Sequence, residues 1–220
     1  MRLATRMIVL QEMGLRELTP ALRRKTQVVY QSAQAVARGP PLKSCFEVVV
    51  SGHLREEKDP FRTAAALAHL PDASRIRVTH IGGAMSTAMA QQATMWMKRE
   101  PRYRWLGEVA HGKALRLLAR SRLMAITSRM EGGANVVSEA LANGVPVIAS
   151  RISGNVGMLG KDYAGYYPVE NERALARLLS RAETDNVFYR RLAAQCHVRA
   201  KRISHSSERG GLRCALIEKT

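Results

Sequence analysis

An α/β fold, with a Rossmann-like parallel sheet covered by helices on both faces, is what this sequence of 220 residues predicts, and three observations predict it. Short runs rich in Val and Ile alternate with longer segments of helical period, which is the alternation of a βαβ series. Gly and Pro punctuate the series where a parallel sheet needs turns, as in the Gly144 and Pro146 that stop one helical segment and open the next strand. The chain is also long enough, and apolar enough at 46%, to bury a core between the two layers of helix.

The elements follow in order. Strands are expected at "RMIVLQ", "QVVYQ", "FEVVVSG", "RIRVTHIGG", "YRWLG", "RLMAIT" and "VPVIAS". Helices are expected between them at "LTPALRRK", "DPFRTAAALAHL", "STAMAQQATMWMKRE", "HGKALRLLARS" and "NVVSEALANG". The stretch "SAQAVARGPPLKS", with Gly39, Pro40 and Pro41, reads as a linker, so a boundary is expected near residue 42. Beyond Pro168, "ERALARLLSRAE" and "NVFYRRLAAQCHVRA" carry apolar residues at spacings of three and four and read as two helices. The last twenty residues lose that pattern. Residues 1–41 are therefore read as a separate remnant plus linker, 42–200 as the α/β domain and 201–220 as an irregular tail.

Charge and cysteines narrow the setting. A net charge of +17 attracts anionic ligands over long range, but the basic residues are scattered, without long runs or interleaved aromatics, so no nucleic-acid stripe is visible. Cys45, Cys196 and Cys214 are odd in number and far apart, which fits neither a disulfide framework nor a Cys-x-x-Cys site and points to a reducing cytoplasm. No apolar run reaches the ~18 residues of a membrane span, and "MIVL" is cut short by Glu12, a poor signal peptide. Trp96, Trp105 and the methionines at 85, 89, 95 and 97 are read as packing residues.

The chemistry is expected at two places. Glu131 falls just past the strand "RLMAIT", at the carboxyl edge where open α/β sheets bind ligands, and Glu139 falls about one turn into the following helix. Gly132, Gly133, Ala134 and Asn135 lead into that helix, and their small side chains leave backbone N–H groups open to a ligand at its positive end. A carboxylate accepts two hydrogen bonds from vicinal hydroxyls, so two separated carboxylates suit a sugar and a ribose. Upstream, Lys58 in "REEKD" is either a surface lysine with local ion pairs or an anion-binding ammonium.

With those residues in view, "ITSRMEGGANVVSEALANGVPVIAS" resembles the donor-binding segment of GT-B glycosyltransferases of family 4. Ser128, Glu131, Gly132, Glu139, Ala140, Gly144, Pro146, Val147 and Ile148 match its pattern. The segment "VVVSGHLREEKDP" resembles the family's strand, Gly-Arg-Leu turn and Lys, with Gly52, Leu54 and Lys58 in agreement and His53 in place of Arg. An imidazole is cationic only in part near neutral pH, so the substitution weakens that side of a phosphate clamp. "THIGGAM" and "YRWLGEV" stand where the family has turns beside the base, and Gly157 stands where it usually has a Glu.

The resemblance implies the C-terminal donor-binding domain of a GT-B enzyme that takes a sugar from a UDP-sugar. Donor-binding residues would be Gly52, His53, Lys58, Glu131, Gly132, Gly133, Ala134, Asn135 and Glu139, with Lys58 and Glu131 in the catalytic roles. Within the family, the runs "GHLREEKDPFRTA" and "RSRLMAITSRMEGGANVVSEAL" are similar to selenosugar synthases of selenoneine biosynthesis, which implies a small anionic acceptor, selenophosphate. The same resemblance implies retention of anomeric configuration and an N-terminally truncated chain whose activity is open. No cofactor is expected, and without an Asp-x-Asp among the four aspartates or ligand spacing among the six histidines no metal is either. The rival reading is a non-catalytic module that sequesters nucleotide or binds RNA through its basic surface.

Overall fold

The computed structural model describes residues 4–217. Strands β1 (Met7–Val9) and β2 (Thr26–Val28), with helices α1 (Glu12–Arg16) and α2 (Pro20–Arg23) between them, form a small parallel pair of their own. Residues 29–45 carry no helix or strand. Asn143 nevertheless holds that stretch to the main body, accepting from the Val36 N–H at 2.9 Å and donating to the Gln34 carbonyl at 3.2 Å.

The main sheet runs through β3 (Phe46–Ser51), β4 (Ile76–Ile81), β5 (Tyr103–Trp105), β6 (Leu123–Ile126), β7 (Val147–Ser150) and β8 (Tyr166–Tyr167). Its helices are α3 (Arg62–Leu67), α4 (Thr87–Arg99), α5 (His111–Arg120), α6 (Asn135–Ala142), α7 (Ser153–Leu159), α8 (Glu172–Thr184), α9 (Asn186–Ala200) and α10 (His205–Ile217). All neighbours pair in parallel in the order β5-β4-β3-β6-β7-β8. Counted from β3, this is the Rossmann order 3-2-1-4-5-6. The β3–α3–β4 and β6–α6–β7 crossovers proceed in opposite directions along the sheet, and the right-handed rule for such crossovers then puts α3 and α6 on opposite faces. β6 and β7 are buried at every residue, as sheet centres covered on both faces are.

Local chemistry sets the boundaries. Ser86, Asn171 and Asp185 accept backbone N–H groups as N-caps of α4, α8 and α9. α6 ends in a Schellman turn: Val145 N–H bonds the Ala140 carbonyl at 2.9 Å, Gly144 N–H bonds Leu141 at 3.1 Å, and Gly144 takes φ +65°.

Several expectations need correction. The tail expected to be irregular holds α10, whose two mid-helix glycines hide its period. Ser204 starts it by accepting the Ser207 N–H at 3.1 Å, and Gly211 lets it approach Val29. The strand expected through Gln11 stops at Val9, because the Gln11 side chain caps α1. α7, with Gly154 and Gly157 of low helix propensity, and the two-residue β8 carried no period to read. Among the expected packing residues, Met89, Met97, Trp96 and Trp105 pack on the core, whereas Met85 and Met95 are exposed.

At the carboxyl ends of β3 and β4 the backbones come close enough to exclude a side chain. Gly82 has φ +144°, and a Cβ there would lie 2.1 Å from the Gly52 carbonyl oxygen, whereas one on Gly52 meets nothing within 4 Å. Gly82→Ala therefore lowers unfolding free energy by more than about 2 kcal/mol, and Gly52→Ala by less than about 1 kcal/mol. Urea titration of the two variants checks the contrast; equal costs would contradict the close approach.

Candidate functional site

The chain leaves β3 toward β4 and β5 on one side and later returns to β6 on the other, so β3 and β6 flank the switch point of the sheet. Ligands of open α/β sheets bind in the crevice beyond the carboxyl ends of such strands. Gly52 and His53 stand just past β3, and Glu131 stands in the loop after β6. Lys58 ends a 3-10 turn, Glu56–Lys58, that the β6 side holds in place. The Thr127 hydroxyl lies 2.9 Å from the carbonyls of both Lys58 and Asp59, and Arg129 N–H donates to the Glu57 carbonyl at 2.8 Å.

The two expected catalytic groups meet. Lys58 Nζ lies 2.6 Å from Glu131 Oε1 and 2.8 Å from Oε2, and the Ser128 hydroxyl donates to Oε1 at 2.6 Å. Lys58 thus pairs across 73 residues and not with its neighbours in "REEKD"; Arg55 is the one that pairs locally, with Glu57 at 3.1 Å. The Glu131 side chain is only 7% exposed, so removing the ammonium would leave a buried carboxylate uncompensated. Glu139, on the inner face of α6, has Oε1 at 3.0 Å from His111 Nε2 and 3.3 Å from Asn135 Nδ2.

Two cavities adjoin at this edge. A small one of about 20 Å³ is lined by Gly52, His53, Lys58, His80, Ser128 and Glu131. An open cleft of about 550 Å³ is lined by Gly52, His53, Gly82, Glu108, His111 and Glu139. Ser51, Gly52 and His53 belong to both. Gly132, Gly133, Ala134 and Asn135 line neither: Gly132 and Asn135 are exposed, Ala134 is buried in the core, and Gly133 lies against Leu10.

Beneath Gly52 sits a residue the sequence reading passed over. His80 is fully buried, with Nε2 at 3.1 Å from the Gly52 carbonyl and Nδ1 at 2.9 Å from the Tyr103 hydroxyl. Burial pushes the imidazole down to about 4, against the opposing pull of the Gly52 and Pro60 carbonyls. The ring is therefore neutral near pH 7. A carbonyl only accepts, so Nε2 carries the hydrogen and Nδ1 accepts from Tyr103, whose hydroxyl burial pushes up and keeps protonated. In a trans peptide the C=O and N–H point in opposite directions. Holding the Gly52 carbonyl below the edge turns the His53 N–H away from it, and that N–H has no protein partner among the described residues. His111 and His80 had no motif spacing to betray them, whereas Ser128 stood three residues before Glu131 in the motif; only placement shows the part each plays.

The family described as "Glycosyl transferases group 1" matches residues 40–202. No curated protein sequence matches the chain. Among solved structures, HepE of Anabaena in complex with UDP and glucose superposes with a TM-score of 0.80 at 19% identity, over 95% of this chain and 62% of that one. The lipopolysaccharide outer core galactosyltransferase WaaB superposes at 0.74 and 17% identity, over 99% and 63%. WaaG, a glycosyltransferase involved in lipopolysaccharide biosynthesis, superposes at 0.74 and 14%, over 96% and 62%. The chain spans less than two thirds of the length of each of these. At such identities the likeness establishes the fold.

The neutral, buried His80 gives the site's foundation an acid limit. An unfolded chain protonates this histidine near its ordinary 6.5 while the folded chain holds it neutral to about 4, so the unfolded state binds the extra proton between those values. Stability falls as pH drops through that window, by on the order of 3 kcal/mol from this residue. In His80→Gln the slope between pH 6.5 and 4 flattens. Urea denaturation across that range, wild type against variant, checks it, and parallel profiles would refute it.

Proposed function

We propose, from the fact that this chain belongs to the glycosyl transferases group 1 family, that its carboxyl-edge crevice binds the UDP-sugar donor of a glycosyl transfer. One observation carries the reading. Two motifs some seventy residues apart, Gly52–Lys58 and Glu131–Glu139, converge on adjoining cavities at the switch point of the sheet. A scattering of surface charges has no reason to assemble there.

Each group has a task in this reading. Glu139, buried on α6 at the wider cleft, accepts both ribose hydroxyls, with His111 and Asn135 orienting it. Lys58 has three N–H groups, two of them on Glu131, and the third is left for a diphosphate oxygen. The His53 N–H adds a backbone donor, with the His53 ring beside it. Glu131, held by Ser128 and Lys58, presents its carboxylate to the donor sugar. As the bond to the sugar breaks, negative charge builds on the departing UDP, and an ammonium already held in place stabilises it without reorganising. The acceptor is then a nucleophile brought to the anomeric carbon by positioning.

The finer elements of the reading are retention of configuration and a small anionic acceptor, selenophosphate, which rest on the sequence resemblance, and a reaction without metal or cofactor, for which the sequence offers no Asp-x-Asp and no ligand spacing among its histidines. The net charge of +17 favours such an acceptor electrostatically.

Calorimetric titration tests the donor site. UDP binds saturably with little dependence on salt. Glu139→Ala weakens it roughly 10- to 100-fold, and Lys58→Met weakens UDP while leaving uridine unchanged. Absence of saturable UDP binding overturns the reading. A steep salt slope with RNA, indifferent to Glu139→Ala, would establish the rival surface-binding function in its place.

A further inference from the structure

Gln11 lies far outside both motifs, yet its side chain reaches the loop between them. It is 2% exposed, and both ends of its carboxamide are engaged. Oε1 accepts the N–H groups of Met13 at 2.6 Å and Gly14 at 3.2 Å, which caps α1, and Nε2 donates to the Gly132 carbonyl at 3.1 Å. The surroundings are shaped to admit it. A Cβ on Gly157 would lie 1.8 Å from Gln11 Oε1, and a Cβ on Gly133 would lie 2.6 Å from the Cβ of Leu10. The Glu131 backbone is seated on α7 in the same way, since a Cβ on Gly154 would lie 2.2 Å from its carbonyl oxygen.

We propose that Gln11 is a positioning residue for the loop beside Glu131: its Nε2–H holds the Gly132 carbonyl and thereby turns the Gly133 N–H, which lies outside both cavities, away from Gln11 and toward a donor sugar seated on Glu131. The trans geometry of the 132–133 peptide turns that N–H away from Gln11, and it has no protein partner among the described residues. The device is the one His80 provides beneath the 52–53 peptide, where a neutral side chain grips the carbonyl and leaves the N–H on the other side for the ligand. Gly157 is then the space that Gln11 requires.

The inference rests on the donor site proposed above, and its test separates the two. Gln11→Glu keeps the shape and the acceptor that caps α1 but loses the donor to Gly132. Gly157→Ala displaces the same carboxamide without adding charge. Calorimetry with UDP and with UDP-glucose is run on wild type and both variants, with thermal melts to confirm folding. The expected result is a UDP affinity within about twofold of wild type in each variant. The ratio of UDP-glucose to UDP affinity falls about five- to tenfold, the size of one lost hydrogen bond. An unchanged ratio in folded Gln11→Glu overturns the positioning role while leaving the donor site standing. An equal loss for UDP and UDP-glucose also overturns it, by showing a general structural role. Failure of wild type to bind UDP removes the donor site itself and the inference with it.

Discussion

The Lys58–Glu131 ion pair is the constraint around which the crevice is organised. It joins a turn that follows β3 to a loop that follows β6, the two strands flanking the switch point, and it is mostly shielded from water. A charge pair in that position has to be supported geometrically, because desolvating two ions costs several kcal/mol each unless their hydrogen bonds are completed. The support is present on both sides: Ser128 donates to the carboxylate, and Thr127 and Arg129 tie down the backbone of the lysine turn. Both halves of the pair are thus preorganised at the sheet edge.

Around that pair the backbone comes close at four glycines. Gly82 lets the ends of β3 and β4 touch, Gly154 seats the Glu131 carbonyl on α7, and Gly133 and Gly157 receive Leu10 and Gln11. Close approach creates a second need, since buried carbonyls require partners. His80 serves Gly52, and Trp105 Nε1 donates to the Gly82 carbonyl at 2.8 Å. The edge of the sheet is a layer of peptides whose carbonyls are held from below or behind, while N–H groups such as that of His53 have no protein partner among the described residues. Such a surface favours an anion or a hydroxyl-rich ligand before any side chain charge is added.

Sequence reasoning reached the residues with a local signature. The strands from β3 to β7 and the helices α3 to α6, α8 and α9 show in apolar period and in caps, and the Schellman turn at Gly144 shows in the Gly-x-Pro that follows α6. Lys58, Glu131 and Glu139 stood out because each sits at a fixed offset from a strand or a glycine turn. What escaped was short, or glycine-rich, or supported by a partner distant in the chain. β8 has two residues, α7 and α10 are helical despite their glycines, and the strand expected through Gln11 ends at Val9, because the Gln11 side-chain amide caps α1.

The sequence by itself determined that the chain alternates strand and helix, that Lys58 and Glu131 follow strand ends and that Glu139 lies on the helix after the second of them. These follow from forces acting within a few residues: burial period, turn propensity and helix capping. Only the tertiary structure decided that Lys58 pairs with Glu131 and not with its neighbours, that His80 is a neutral prop and that Gln11 holds the Gly132 carbonyl. Each is a hydrogen bond between residues 28 to 121 positions apart, and such a bond exists only once the strand order has brought the partners together.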